Sequence, residues 1–298
     1  MIIKNTLDLF KKNNFQYEDI IKQASKNLEE NGFHVFESVP SLLNNLEQLN
    51  FQSNKLINEE GDLGGWEGKM QYYKKNKKFE DGADRLGALV QKNEIFRKLL
   101  LCPEILSCAY QVVGKKDIKI CGFNLRNPQK NKGNQEIHID GFSRIKENEP
   151  YAGIVAFLYL NDSHINNGAM RVIPGSHKRL GYPDDHININ KKNDEEKRIE
   201  VKAGSIVVAN LNLWHGGANN IDGSQRKVIM INVKSRKYDQ LLNYKKFLTD
   251  DVKASMSESQ KYILAIRDQD VTQQIDSGGS ANQARRDHFQ KKNNQILV

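Results

Sequence analysis

Between residues 118 and 233 the chain is a succession of short apolar segments, each closed by a cluster of Gly, Asn, Asp or Pro. They cover 118–125, 136–140, 153–160, 169–173, 199–201, 205–211 and 227–233. Apolar runs of that length with turn residues between them are read as strands, because a helix needs a longer periodic stretch. Many short strands in series close most readily into a sandwich, barrel or jelly roll. This stretch therefore limits the architecture more than any other part of the chain.

The flanks are different. Residues 18–31 carry Ile20, Ile21, Ala24 and Leu28 near helical spacing, and Asn31-Gly32 provides a stop signal. A short strand is expected at 33–36, a second amphipathic helix at 42–56 and a Gly-rich loop at 62–68. A further helix is expected at 95–113, broken or begun at Pro103 and ended by Gly114. After Asp239 the pattern returns to helix at 240–247 and 257–267, and from Asp276 onward it is a polar tail. The expected fold is mainly β with flanking α-helices. The expected organisation is one unit over 1–298: a mostly helical part (1–117), a β core (118–238) and a helical C-terminal extension (239–298).

Composition removes several classes. A chain of 298 residues is long enough for a real hydrophobic core. Three cysteines, Cys102, Cys108 and Cys121, without a CxxC pair give neither a disulfide framework nor a zinc cluster. No stretch approaches the roughly 20 apolar residues of a membrane span, and the N-terminal residues lack a signal-peptide pattern, so a cytoplasmic location is expected. The net charge of +8 comes from scattered Lys and Arg interleaved with acidic residues, without a nucleic-acid-binding signature. Nucleic acid is therefore an unlikely partner. A mild attraction for anionic small molecules remains. Oligomeric state is not encoded in any pattern we can identify.

The residues that carry chemistry lie inside the β region. In Gln135-Glu136-Ile137-His138-Ile139-Asp140-Gly141, extended backbone puts His138 and Asp140 on the same face, where imidazole and carboxylate could share one metal ion. His215 follows the apolar segment 205–211 and could complete a two-His-one-carboxylate set. Such a set leaves open positions and is typical of non-haem Fe(II) oxygenases. Arg226 opens the last strand, where a guanidinium can hold a carboxylate bidentately.

With these residues in place, the chain resembles the phytanoyl-CoA dioxygenase family of Fe(II)/2-oxoglutarate oxygenases. The similarity is strongest over Asn167-Gly168-Ala169-Met170-Arg171-Val172-Ile173-Pro174-Gly175-Ser176-His177-Lys178. The resemblance implies a double-stranded β-helix, a jelly-roll, cupin-like core with N-terminal helices packed on one sheet. It implies Fe(II), 2-oxoglutarate and O2 as cofactor and cosubstrates. His138, Asp140 and His215 would be the iron ligands, and Arg226 would pair with the far carboxylate of 2-oxoglutarate. Asn220 fits the same pattern. Two positions depart from it: Gly217 stands where Ser or Thr is common, and Ile139 where Gln is common. Retention of Asp140 favours hydroxylation or a related oxidation over halogenation.

Other candidates carry two readings each. Arg126 and Arg144 flank the metal segment, either as surface charges or as contacts to the cosubstrate or an acidic substrate group. Phe142, between Asp140 and Arg144, is a candidate substrate contact. Trp214 either packs under its strand or borders the pocket. Trp66, in the Gly-rich loop, is either a substrate lid or a hydrophobic plug. His177, in the PGSHK turn, is expected to be structural. The expected activity is oxidation of a C–H bond in a small polar or anionic molecule. The alternatives are a cupin-like metalloenzyme that does not use 2-oxoglutarate and a non-catalytic metal- or 2-oxoglutarate-binding sensor.

Overall fold

The computed structural model describes residues 2–61, 64 and 82–268. Trp66, with nearly all of the Gly-rich loop, and the polar tail from Asp276 lie outside the described residues. The strands are β1 (Phe33–Phe36), β2 (Ala83–Leu86), β3 (Ile118–Pro128), β4 (Gly153–Tyr159), β5 (Met170–Val172), β6 (Lys197–Ile199), β7 (Ile206–Asn210), β8 (His215–Gly216) and β9 (Val228–Ser235). They form a six-stranded sheet in the order β1-β7-β4-β9-β3-β2 and a three-stranded sheet in the order β6-β5-β8. Neighbouring strands run antiparallel throughout.

Strand alternation divides the apolar residues between two cores. On β4, Ile154, Ala156 and Leu158 join the core shared with the helices, while Val155, Phe157 and Tyr159 join the core facing the small sheet. On β9, Ile229, Ile231 and Val233 go to the helical side, and Val228 and Met230 go to the other. A sheet buried on both faces explains why these segments read as continuous apolar runs. The functional residues occupy the face turned toward the small sheet.

The helices cover the opposite face. The Tyr17–Glu30 helix buries Ile21, Ala24 and Leu28, and the Pro103–Val112 helix packs against it and against β4. Pro103 starts that helix because its missing N–H is not needed in the first turn. The predicted 95–113 helix is accordingly two pieces, Glu94–Arg97 running into a 3-10 turn, then Pro103–Val112. The predicted 42–56 helix is also broken, into Pro40–Leu43 and Leu46–Glu60. At the break, the Asn45 side-chain amide donates to the Ser41 carbonyl at 2.9 Å, a local bond that competes with helix continuation. β2 was not expected, since Ala-Asp-Arg-Leu has little strand character. Pairing with the end of β3 makes it a strand. The helices Thr6–Lys12 and Asp250–Ser255 were likewise not expected. The predicted strand 136–140 is reduced to one bridge at His138.

One charged residue is enclosed beneath the helical layer. Lys227 is fully buried, and its ammonium donates to Asn54 Oδ1 at 2.7 Å. Burial disfavours the charged form and pulls its pKa down from 10.5 to about 8. Between those two values the unfolded chain holds a proton that the folded chain has lost, so stability rises with pH across that window. We expect the unfolding free energy of the wild type, measured against Lys227→Met by urea denaturation, to increase from pH 8 to 10.5. A pH-independent difference would contradict the burial cost.

Candidate active site

The site is assembled from two pieces of backbone. His138 and His215 face each other antiparallel and exchange both hydrogen bonds: His138 N–H to the His215 carbonyl at 2.8 Å, and His215 N–H to the His138 carbonyl at 3.0 Å. Directly opposed residues project to the same side of a ladder, so the two imidazoles lie together, ring centroids 4.5 Å apart. Two residues on, the Asp140 and Gly141 amides donate to the Leu211 carbonyl at 3.0 and 2.8 Å. The segment stays extended without being a regular strand. Ile137 and Ile139 are buried on one side with Ile173, Tyr182 and Trp214, while His138 and Asp140 occupy the other. Ile139 is therefore a packing residue here.

The donor atoms converge. Ligand atoms of His138, Asp140 and His215 all lie within 4.8 Å of one another. His138 Nε2 is 4.0 Å from Asp140 Oδ1, and His215 Nε2 is 3.5 Å from Asp140 Oδ2. Each ring is oriented through its other nitrogen. His138 Nδ1 is 2.8 Å from the Glu136 carbonyl, and His215 Nδ1 is 3.0 Å from the Leu213 carbonyl. A carbonyl can only accept, so both Nδ1 atoms carry the proton and both Nε2 lone pairs point into the shared space. Two neutral imidazoles and one carboxylate on one side of an ion leave its remaining positions open. This donor set fits a divalent iron site.

The wall around the triad comes from the interior face of the large sheet. Phe157 packs edge-on against His215 at 5.5 Å. One interior position further along β4, Tyr159 lies beside the Arg226 guanidinium. Arg226 is buried and its backbone amide donates to Asn127 Oδ1 at 3.1 Å, which fixes where β9 begins. Arg126 pairs with Val228 in register and so shares this face. It is buried and donates to the Gly133 carbonyl at 2.8 Å. Asn124, at the next interior position of β3, has its Oδ1 buried without a hydrogen-bond partner among the described residues. The structure thus places His138, Asp140, His215, Arg226 and Arg126 on one inner surface.

Gly217 belongs to the same arrangement. Its N–H donates to Gln135 Oε1 at 3.0 Å. A Cβ there would stand 2.8 Å from Arg126 Nη1 and 2.9 Å from Gln135 Oε1. The space that a serine side chain would take is filled by Arg126 and Gln135. Behind them, Arg171 donates to the Gln135 carbonyl and pairs with the buried Glu196 at 3.3 Å. Sequence reasoning missed Tyr159, Asn124, Gln135 and the Glu136 and Leu213 carbonyls. Only the i−2 carbonyl bonds had a local signal, the extended backbone itself.

Other expected residues have different tasks. The Asn220 amide donates to the Pro128 and Ser224 carbonyls at 2.9 and 3.0 Å and accepts from Gly223 at 2.9 Å. Its side chain therefore shapes the turn before Arg226 instead of reaching into the site. Arg144 is buried, stacks on Tyr151 and donates to the Glu147 and Lys178 carbonyls at 2.7 and 2.8 Å. Arg144 is therefore not a surface charge, and both of its terminal nitrogens hold loop backbone. Trp214 is buried between Arg179 and His186 in the cluster behind the metal segment, on the side away from the triad. It packs under its strand. His177 is buried against Gly32, where a Cβ would stand 2.5 Å from its ring.

With this geometry in hand, comparison with known proteins gives a family. The model for phytanoyl-CoA dioxygenase (PhyH) matches residues 28–228. The chain belongs to the phytanoyl-CoA dioxygenase family. The uncharacterized protein Rv1501 of Mycobacterium tuberculosis is 31% identical over 87 residues, a match covering 29% of this chain and 30% of that protein. The non-heme alpha ketoglutarate dependent carbocyclase SnoK from nogalamycin biosynthesis superposes with a TM-score of 0.55 at 19% identity, over 74% of this chain and 85% of that one. HygX from Streptomyces hygroscopicus, solved with nickel, 2-oxoglutarate and hygromycin B, gives a TM-score of 0.56 at 13% identity, over 78% and 93% of the two chains. These structures share the fold, a jelly-roll core with flanking helices. No described helix is long and apolar enough to cross a membrane.

A side chain at 217 must push Arg126 or Gln135 aside. Both are held by buried hydrogen bonds, and the Gly133 carbonyl would stand 3.1 Å from the new Cβ, so the change is expected to cost about 1–3 kcal/mol of stability while disturbing the inner surface. Gly217→Ala should weaken 2-oxoglutarate binding severalfold and lower the melting temperature by a few degrees, measured by calorimetric titration and thermal unfolding. Unchanged affinity would remove Arg126 and Gly217 from the cosubstrate site.

Proposed function

We propose that this family member is an Fe(II)- and 2-oxoglutarate-dependent dioxygenase that hydroxylates, or otherwise oxidises, a C–H bond of a small polar or anionic molecule. The observation that carries this is the convergence of His138 Nε2, His215 Nε2 and the Asp140 carboxylate on the inner surface that also holds Arg226 and Arg126. His138, Asp140 and His215 would hold the iron. Arg226, with Arg126, would hold the far carboxylate of 2-oxoglutarate. The whole of 1–298 is taken as one oxygenase unit.

The spacing supports that division of labour. Phe157 touches His215, and Tyr159 touches Arg226. These are successive interior positions on one strand, separated by about 7 Å. A five-carbon diacid is long enough to reach from the triad to the guanidinium. Arg226 neutralises one carboxylate and, with Arg126, makes the pocket selective for a diacid over a neutral keto compound. The Glu136 and Leu213 carbonyls engage the Nδ1–H of both histidines, so Nε2 is the nitrogen each ring turns to the metal. Phe157, Met230 and Val155 line the neighbouring wall with apolar surface that excludes water from the reacting C–H. Bound Fe(II) and 2-oxoglutarate supply the oxidising chemistry, with O2 consumed and succinate and CO2 released. HygX, which shares this fold, has been solved with 2-oxoglutarate and a small-molecule antibiotic together, and that supports a small-molecule substrate.

The direct test is an anaerobic titration of metal-free protein with Fe(II) and 2-oxoglutarate, following the weak visible charge-transfer band of the chelate. Arg226→Ala should weaken 2-oxoglutarate by about 10–100-fold, the worth of a charge-assisted bidentate contact. His138→Ala and Asp140→Ala should abolish 2-oxoglutarate turnover. Metal binding with no such band would favour the cupin-like alternative, and a band without succinate formation across substrates would favour a sensor.

A further inference from the structure

Arg226 stands just before β9, past the last rung of the sheet. The β3–β9 register ends at Arg126–Val228. Beyond that pair Pro128 has no N–H to donate, and its carbonyl is taken by the Asn220 amide at 2.9 Å. Backbone without ladder bonds is free to shift, and a side chain as long as arginine magnifies each shift at its tip. A guanidinium that has to meet one carboxylate needs its own backbone held.

Side chains replace the missing rungs. Asn127 Oδ1 accepts from the Arg226 N–H at 3.1 Å, and Asn161 Oδ1 accepts from the Lys227 N–H at 3.1 Å. The two acceptors come from opposite neighbours of β9. Asn127 belongs to β3, and Asn161 follows β4 by two residues. Asn161 in turn donates to Asn50 Oδ1 at 3.3 Å.

A carboxamide is a dependable acceptor only while its orientation is fixed, because a half-turn exchanges oxygen for nitrogen. At Asn127 a carboxylate fixes it. Asp84 pairs with Asn127 directly across β2 and β3, and Asp84 Oδ2 accepts from Asn127 Nδ2 at 2.9 Å. Asp84 Oδ1 accepts from Gln129 Nε2 at 2.9 Å. An ionised carboxylate only accepts, and a backbone N–H only donates. The nitrogen of Asn127 therefore faces Asp84, and its oxygen faces Arg226. Asn127 is buried, so water competes little for either bond.

We propose that Asn127 and Asp84 are positioning residues for the cosubstrate. Asn127 fixes the backbone of Arg226, and Asp84 fixes the Asn127 carboxamide, so that the guanidinium meets the far carboxylate of 2-oxoglutarate. This rests on the oxygenase function proposed above and deepens it. Both residues act through Arg226, so their effect is confined to ligands that need Arg226.

The test compares two keto acids on the full-length protein loaded with Fe(II) under anaerobic conditions. One is 2-oxoglutarate. The other is 2-oxopentanoate, which has the same five-carbon chain and keto-acid end but lacks the far carboxylate. Affinities are read by calorimetry and by the visible chelate band. We expect the wild type to prefer 2-oxoglutarate by at least about tenfold, and Arg226→Ala to abolish the preference. Asn127→Ala and Asn127→Asp should cut it at least fivefold, and Asp84→Ala severalfold, with 2-oxopentanoate affinity unchanged within about twofold. The double variant Asp84→Asn/Asn127→Asp reverses the pair, with the donor now on β2 and an acceptor still facing the Arg226 N–H. It should recover the wild-type preference. In metal-free protein, amide hydrogen exchange over residues 225–228 should quicken in Asn127→Ala. Asp84 is partly exposed, so its variant tests the proposal even if the Asn127 variants do not fold.

Equal losses for both keto acids, a double variant no better than Asn127→Asp, or unchanged exchange at 225–228 would overturn the proposal. A preference that depends on Arg226 but survives in the Asp84 and Asn127 variants would sink the positioning role alone. A preference indifferent to Arg226→Ala would sink the cosubstrate assignment on which the role rests.

Discussion

Everything at the site depends on the paired backbone bonds between His138 and His215. They are the point at which an irregular segment and a two-residue strand are held in antiparallel register. Once that register is set, the imidazoles fall on the same side, and the next outward residue, Asp140, completes the triad. A slip of one residue would turn both His138 and Asp140 into the cluster now filled by Ile137, Ile139 and Trp214. The apolar side of this segment therefore fixes the register, and the register fixes the donor set.

Charge is placed inside this barrel with support from neighbouring backbone. Arg126 is held by the Gly133 carbonyl, Arg171 by Gln135 and Glu196, and Arg226 lies beside Tyr159. Buried guanidinium groups are tolerable because their N–H fork meets fixed acceptors. The same bonds hold Arg126 in a fixed position on the inner surface, beside the Arg226 end. Gly217 illustrates how close the packing is, since one added carbon would reach both Arg126 and Gln135.

One boundary that the sequence misjudged has a tertiary cause. β2 is a strand because β3 offers it a partner. That partner lies far along the chain and cannot be recognised from local pattern. Arg144 and Asn220 show a related limit of local pattern. A polar side chain near a metal motif has the same composition whether it faces a ligand or a loop carbonyl, and both of these bond to loop backbone.

Local pattern by itself determined the β core with helices at either side, and residue types alone made His138, Asp140 and His215 legible as a metal-binding set. Hydrophobic alternation and turn residues are short-range signals, and donor chemistry resides in the residue types themselves. Tertiary structure alone decided which histidine nitrogen faces inward, why glycine stands at 217, and that Arg126 and Tyr159 share one interior face. Those facts depend on which strands lie side by side and in what register, and register is a property of pairs of segments far apart in the chain.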